Sequence, residues 1–213
     1  SAEMMADISV ERAIISMTGE HIRCINTVGA VALNKGSSPN LVAEHTIMLE
    51  DLEKAVELSQ AVSLPIDKDI LHVLPQEFLV DTLEFIKNPI GMTGRRLEAR
   101  VHLVIAATAA MQNLKNCVEE LGIDFEGIVF QPLASSLVTL NDDEKNLGVT
   151  LVDIGAHTTD VTVYNGDAVR YSSVIPIGAN SITNDIAVML QIGLDTAEDI
   201  KVKYASAKAS MAS

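Results

Sequence analysis

The chain has 213 residues, room for one large domain or two smaller ones, and 48% of them are hydrophobic, enough to form a folded core. Its 15 basic side chains are outnumbered by 29 acidic ones, which gives a net charge of −14. This balance argues against a nucleic-acid partner, because phosphates attract basic patches. The five histidines and two cysteines show no metal-ligand spacing, which argues against a zinc site.

The first half of the chain is predicted to be mainly strands around one helix. Alternating apolar residues, Gly and Pro punctuation and one helical stripe carry this prediction. The predicted elements are strands at 10–17, 21–26 and 28–33 with a candidate bulge at Gly29, a loop at 34–40, a helix at 50–62, strands at 70–74 and 77–80 with an edge or break at Pro75, and a strand at 97–107.

The second half of the chain mixes helices and strands. Candidate caps, a terminating glycine and alternating β-branched runs indicate the element ends. The predicted elements are a helix capped by Thr108 and ended by Gly122, a strand at 128–130, a helix at 132–140, a polar connector at 141–146, strands near 149–154, 159–164 and 168–175, a helix near 180–191, and a helix from Thr196 capped by Asp195.

The stretch L-V-D-I-G-A-H-T-T-D-V-T-V-Y-N-G-D-A-V, residues 151–169, places a tight connection between two strands. A turn of this kind exposes successive backbone N–H groups, which form a nest for an anion such as phosphate. Asp153 at the end of the first strand can hold magnesium through water. The alternative is a hairpin whose Gly and Thr serve only the turn, with His157 simply exposed.

Several stretches together resemble the FtsA family of bacterial cell-division proteins, in the actin-like ATPase superfamily. The resemblance covers nearly the whole chain, and the 86–103 stretch is its most specific part. The stretches are H-V-L-P-Q-E-F (72–78), I-K-N-P-I-G-M-T-G-R-R-L-E-A-R-V-H-L (86–103), L-A-S-S (133–136), V-I-P-I-G-A-N-S-I-T-N-D-I (174–186) and A-E-D-I-K-V-K-Y (197–204).

The resemblance implies an α/β fold of incomplete actin-like, ribonuclease H-like lobes with an inserted α+β subdomain. Residues 1–18 would supply a strand of the first lobe, 19–106 the inserted subdomain, 107–147 the end of the first lobe, and 148–213 the start of the second. No first phosphate loop, no Gly-Gly adenosine loop and no amphipathic membrane helix are found in the sequence. The chain is therefore expected to be an internal fragment.

The resemblance also implies a set of site residues. Asp153 would be the acidic residue on the magnesium side, Gln131 would orient the attacking water, and Gly178 would open a later loop that approaches the phosphates. The phosphate loop itself would consist of Gly155, Ala156, His157 and Thr158. Ala156 and His157 stand where the family has glycines, and their Cβ atoms restrict positive φ and close backbone approach.

The activity implied is that of an ATP- and magnesium-binding scaffold, at most a weak ATPase, that assembles into filaments and tethers the tubulin-like division protein FtsZ to the inner face of the cell membrane. The inserted subdomain would contact other division proteins and the next subunit, with Arg95 and Arg96 as candidate interface residues. With one phosphate loop, the chain alone is expected to bind ATP weakly or not at all.

Two other functions remain open from the residues. An actin-like platform protein of type IV pilus assembly can carry a similar D-I-G-A-x-T-T loop. A sugar or acetate kinase of the same superfamily would need a catalytic carboxylate near a first phosphate loop, which is not found in this chain. The stretches at 72–78 and 87–99 favour the division protein.

Overall fold

The computed structural model describes residues 5, 7–33, 45–208 and 210. The loop predicted at 34–40 lies outside these residues. The described elements, in chain order, are β1 (Arg12–Met17), β2 (Arg23–Ala32), β3 (His45–Thr46), α1 (Leu49–Ser59), β4 (Lys68–Val80), β5 (Leu83–Ile86), β6 (Thr93–Gly94), β7 (Arg96–Ala107), α2 (Thr108–Glu119), β8 (Asp124–Phe130), α3 (Gln131–Thr139), α4 (Asp142–Leu147), β9 (Val149–Ile154), β10 (Thr159–Asn165), β11 (Ala168–Ile175), α5 (Ala179–Leu190) and α6 (Leu194–Tyr204).

Two lobes flank the inserted subdomain. In the first lobe, β1 pairs with β8 in parallel, although the whole subdomain separates them in the chain. The inserted subdomain is an antiparallel sheet of strand order β2-β7-β4-β5 with α1 against it, and the short strands β3 and β6 pair with each other. The second lobe begins with the antiparallel sheet β11-β10-β9, followed by α5 and α6.

The central strand β7 shows why the subdomain lies where it does. Its side chains alternate between the two faces of the sheet. One face, from Leu97 to Ile105, is completely apolar and packs under α1 as the larger core. On the other face, Val104 and Ala106 join a second core with the first lobe. The polar residues of this face include Arg100, which pairs with Glu77 of β4, and His102, which lies against Ser172 of β11.

Gly29 does not form the predicted bulge. Strand β2 pairs with β7 in unbroken register from Arg23 to Ala32. A Cβ atom at position 29 would lie 1.9 Å from the carbonyl oxygen of Ala55 in α1. The glycine is therefore needed because the helix backbone lies directly against the strand.

Some predicted boundaries differ from the structure. The strands predicted on either side of Pro75 are one strand, β4, whose register with β7 shifts between Pro75 and Glu77. The connector predicted at 141–146 is largely the helix α4, because Asn141 and Glu144 form a reciprocal capping box.

The predicted helix caps Thr108 and Asp195 are both first-turn residues. The N-cap positions belong to Ala107 and Gly193, and neither helix has a side-chain cap. Among the described residues no helix combines the length and the apolar character needed to span a bilayer.

Candidate functional site

The connection between β9 and β10 is a four-residue loop, 155–158. The Gly155 N–H donates to the Thr158 carbonyl oxygen at 2.9 Å and closes the turn. None of the four residues has a positive φ, so the Ala156 and His157 side chains cause no backbone strain here. The predicted steric restriction on positive φ therefore has no bearing on the loop in this conformation.

The beginning of α5 holds the loop from the other side. The Ala179 and Asn180 N–H groups donate to the Gly155 and Ala156 carbonyl oxygens at 2.9 and 2.8 Å. A Cβ atom at Gly178 would lie 2.5 Å from the Ala156 oxygen, so only glycine permits this approach. Gly178 thus contacts the loop itself, and the first N–H groups of α5 are engaged by the protein.

The loop retains unpaired donors of its own. The backbone N–H groups of Ala156 and His157 have no hydrogen-bond partner among the described residues, and both residues are exposed. The His157 Nε2 lies 3.1 Å from the Asn180 amide nitrogen, which fixes the ring against α5. Two successive exposed N–H groups form the kind of concavity that binds an anion.

The structure brings Gln131 and Asp153 together, as expected of a shared site. Gln131 is the first residue of α3, directly after β8, and its amide donates to the Asp153 Oδ2 at 3.3 Å. Ser135, one turn further along α3, donates its hydroxyl to the same oxygen at 2.7 Å. The Asp153 Oδ1 has no hydrogen-bond donor within the described part of the chain.

Asp160 is a further member of the site that the sequence analysis did not single out. It lies opposite Asp153 in the β9–β10 ladder and is 1% exposed. The Thr18 hydroxyl, just after β1, donates to it at 2.6 Å. Burial raises the pKa of Asp160; the Thr18 hydrogen bond opposes the shift, and the nearby Asp153 charge adds to it. The hairpin around the loop pairs residue 160 with residue 153, and this register could have indicated Asp160 from the sequence.

Arg95 and Arg96 lie in the inserted subdomain and take no part in this cluster. Both backbone N–H groups donate to the Asp81 Oδ1 at 3.0 Å. The Arg96 guanidinium also pairs with Glu98 at 2.7 Å, whereas the exposed Arg95 guanidinium has no partner in the described ranges. No group of three or more potential metal-ligating side chains occurs within these ranges either.

A solved structure shares this overall arrangement. It is the PilM-PilN type IV pilus biogenesis complex, which matches with a TM-score of 0.66 and 17% identity over 95% of this chain and 53% of that one. At that identity the likeness shows the fold alone. The fold is that of an actin-like protein with an inserted subdomain.

Family models and curated relatives identify the family. The model described as the SHS2 domain inserted in FTSA matches residues 19–105, and the model of the cell division protein FtsA matches 150–213. The FtsA of Pseudomonas aeruginosa is 39% identical over 99% of this chain, and that of Neisseria meningitidis serogroup B is 40% identical over 95%. The chain belongs to the FtsA family of cell-division proteins. It spans 48% and 47% of the length of these two relatives.

Proposed function

We propose that the chain is part of an actin-like division scaffold that binds ATP and magnesium, polymerises, and tethers FtsZ at the inner face of the cell membrane. The observation that carries the nucleotide site is the loop 155–158, whose exposed N–H groups at Ala156 and His157 are unpaired in the described structure. The same proposal assigns 1–18 and 107–147 to the first lobe, 19–106 to the inserted subdomain and 148–213 to the second lobe.

The residues around Asp153 fit a hydrated magnesium ion. Gln131 and Ser135 both bind Oδ2, so Oδ1 is free to accept from a water of the cation's shell. Magnesium keeps several waters and uses few protein carboxylates, which suits a site with one accessible acidic group. The ion, when bound, would neutralise phosphate charge beside the loop.

The Gln131 side chain supports a role with water in the same site. Its amide is anchored to Asp153 through the nitrogen, which leaves the side-chain oxygen as an acceptor for a water proton. We propose that this geometry orients an attacking water, with ATP hydrolysis slow at most. Gly178 serves the site by allowing α5 to approach the loop.

The test is nucleotide binding by a protein of full family length, measured by calorimetry with magnesium and with a chelator. Asp153→Ala should weaken magnesium-dependent ATP binding by about tenfold or more, and metal-free binding much less, because the carboxylate acts through the hydrated cation. Asp143→Ala, at an exposed acidic residue in α4, is the matched control. Equal losses with and without magnesium would assign Asp153 a structural role, and no ATP binding by the unmodified protein would refute the nucleotide site.

A further inference from the structure

The inserted subdomain is joined to the second lobe by a buried carboxylate between two arginines. The Glu77 side chain is 3% exposed; its Oε1 accepts from Arg100 on β7 at 2.8 Å and its Oε2 from Arg170 on β11 at 2.7 Å. Arg100 belongs to the same sheet as Glu77, whereas Arg170 belongs to the second lobe. A buried ion that loses one partner is costly, so this bridge resists separation of the two parts.

A β-bulge prepares β11 for this contact. Val163 pairs with Tyr171 and Tyr164 with Val169, so Arg170 is the extra residue, without a partner across the ladder. Its carbonyl oxygen accepts instead from the Asn26 amide of the subdomain, at 3.0 Å.

The subdomain also bonds to β11 on either side of Arg170. Gln76 donates to the Val169 carbonyl oxygen at 2.6 Å. His102 lies 2.6 Å from the Ser172 hydroxyl. Residues 169, 170 and 172 are thus all bound by side chains of the inserted sheet.

The other end of β11 leads directly to the candidate phosphate loop. Three residues after β11, Gly178 contacts the Ala156 carbonyl, and Ala179 and Asn180 donate to the loop. The Thr159 hydroxyl, just after the loop, donates to the Ile177 carbonyl oxygen at 2.7 Å. The first half of β11 therefore contacts the inserted subdomain, and the residues that follow the end of β11 contact the loop.

We propose that the Arg100–Glu77–Arg170 bridge is a coupling element that positions the loop 155–158 through β11, so that the state of the inserted subdomain and occupancy of the loop are energetically linked. The inference rests on the proposed function for the identity of what the loop binds. Coupling of two sites is reciprocal, so a partner held by the subdomain would change nucleotide affinity by the same factor as nucleotide changes affinity for the partner.

Hydrogen–deuterium exchange of this 213-residue chain tests the coupling without nucleotide. Glu77→Gln and Arg170→Gln each remove the charged bridge, and the Ala179 and Asn180 amides should then exchange about tenfold faster. Lys87→Gln, which removes an exposed pair with Asp167 at the same interface, is the control and should change these rates by less than about twofold. The Ala55 amide in α1 should exchange as before.

Two outcomes would overturn the proposal. One is faster exchange confined to the inserted sheet and residues 168–172, with 179 and 180 unchanged. The other is an equal acceleration at Ala55, which would mean a general loss of stability. ATP–magnesium titration of the full-length protein, unmodified and as Glu77→Gln, separates this inference from the proposed function. If the unmodified protein does not bind ATP, the nucleotide site is refuted and the exchange result stands.

Discussion

His102 shows how one residue defines the polar face of the inserted sheet. It is 2% exposed, and burial lowers its pKa from 6.5 to about 4. The ring is therefore neutral near pH 7. Its Nδ1 lies 2.6 Å from the Asn26 Oδ1, which can only accept, so Nδ1 carries the proton and Nε2 accepts from Ser172.

This burial predicts an acid sensitivity. Below pH 6.5 the His102 ring is protonated in the unfolded chain, whereas in the folded chain it stays neutral until about pH 4. The free energy of unfolding therefore falls as pH falls through this window. Between pH 7 and 5 the free energy of unfolding should drop by about 2 kcal/mol more in the unmodified chain than in His102→Gln. Urea unfolding at the two pH values measures this.

The control for that comparison is His157→Gln, at an exposed histidine of the loop. It should leave the pH dependence as it is in the unmodified chain. Burial also lowers the pKa of His21 and His72, so part of the acid sensitivity should remain in the His102 variant. Identical pH dependence in the unmodified chain and His102→Gln would contradict the assignment to His102.

At the scale of elements, the contact of α1 with β2 depends on the missing side chain of Gly29. Gly29→Ala would place a carbon 1.9 Å from the Ala55 oxygen, and the helix must move off the sheet to accept it. We expect a loss of about 2–3 kcal/mol in unfolding free energy, the upper range for overpacking. Gly127→Ala, in β8 with open space around it, should change stability by less than about 1 kcal/mol. Chemical denaturation of both variants decides, and equal losses would refute the role of close packing.

Elements with a strong local pattern could be predicted from the sequence. Alternation along β7 and the helical stripe of α1 produced bounds close to those found, since each pattern reflects a face packed on one core. The bulge assigned to Gly29 was wrong because a glycine in a strand looks the same whether it bends the strand or admits a helix. The helix α4 was missed because its capping box lies in a run of polar residues.

The candidate site was only partly predictable for a related reason. Gln131 was named on resemblance and Asp153 on both the strand–turn pattern and the resemblance, and the structure brings the two within hydrogen-bond distance. Asp160 and Glu77 received no role, because their burial depends on partners from distant parts of the chain, Thr18 and Arg170. Such contacts leave no local pattern to read.

At the scale of the whole molecule, the proposed filament contact is best assigned to Arg95. Its guanidinium is exposed and unpaired in the part of the chain that the structure describes, whereas Arg96 is paired with Glu98. In a protein of full family length, replacing both arginines with Glu should abolish filaments on lipid, with ATP binding and melting temperature nearly unchanged. Arg95→Glu alone should account for most of the effect, because interface arginines carry a large share of binding energy.

The control is Arg12→Glu, an equal change of charge at an exposed residue of β1 that pairs with Glu126. It should leave filaments intact. Electron micrographs on lipid monolayers provide the measurement. Filaments that persist in the double Arg95 and Arg96 variant would exclude this contact. If filaments are lost equally in Arg12→Glu, the loss results from the change in net charge and not from the contact.

The pairing of β1 with β8 has a consequence for the order of folding. The two strands can meet only across the inserted subdomain, yet Arg23 and Ile105, near its two ends, are themselves paired neighbours. Once β2 and β7 have joined, the loop that β1 and β8 must close shrinks to residues 18–22 and residues 108–123, which contain α2. This shortening saves about 1 kcal/mol of closure entropy. We expect pulse-labelled exchange during refolding to protect β2, β4 and β7 before β1 and β8, and the reverse order would refute it. The inserted subdomain would then fold first, and the first lobe would assemble around it.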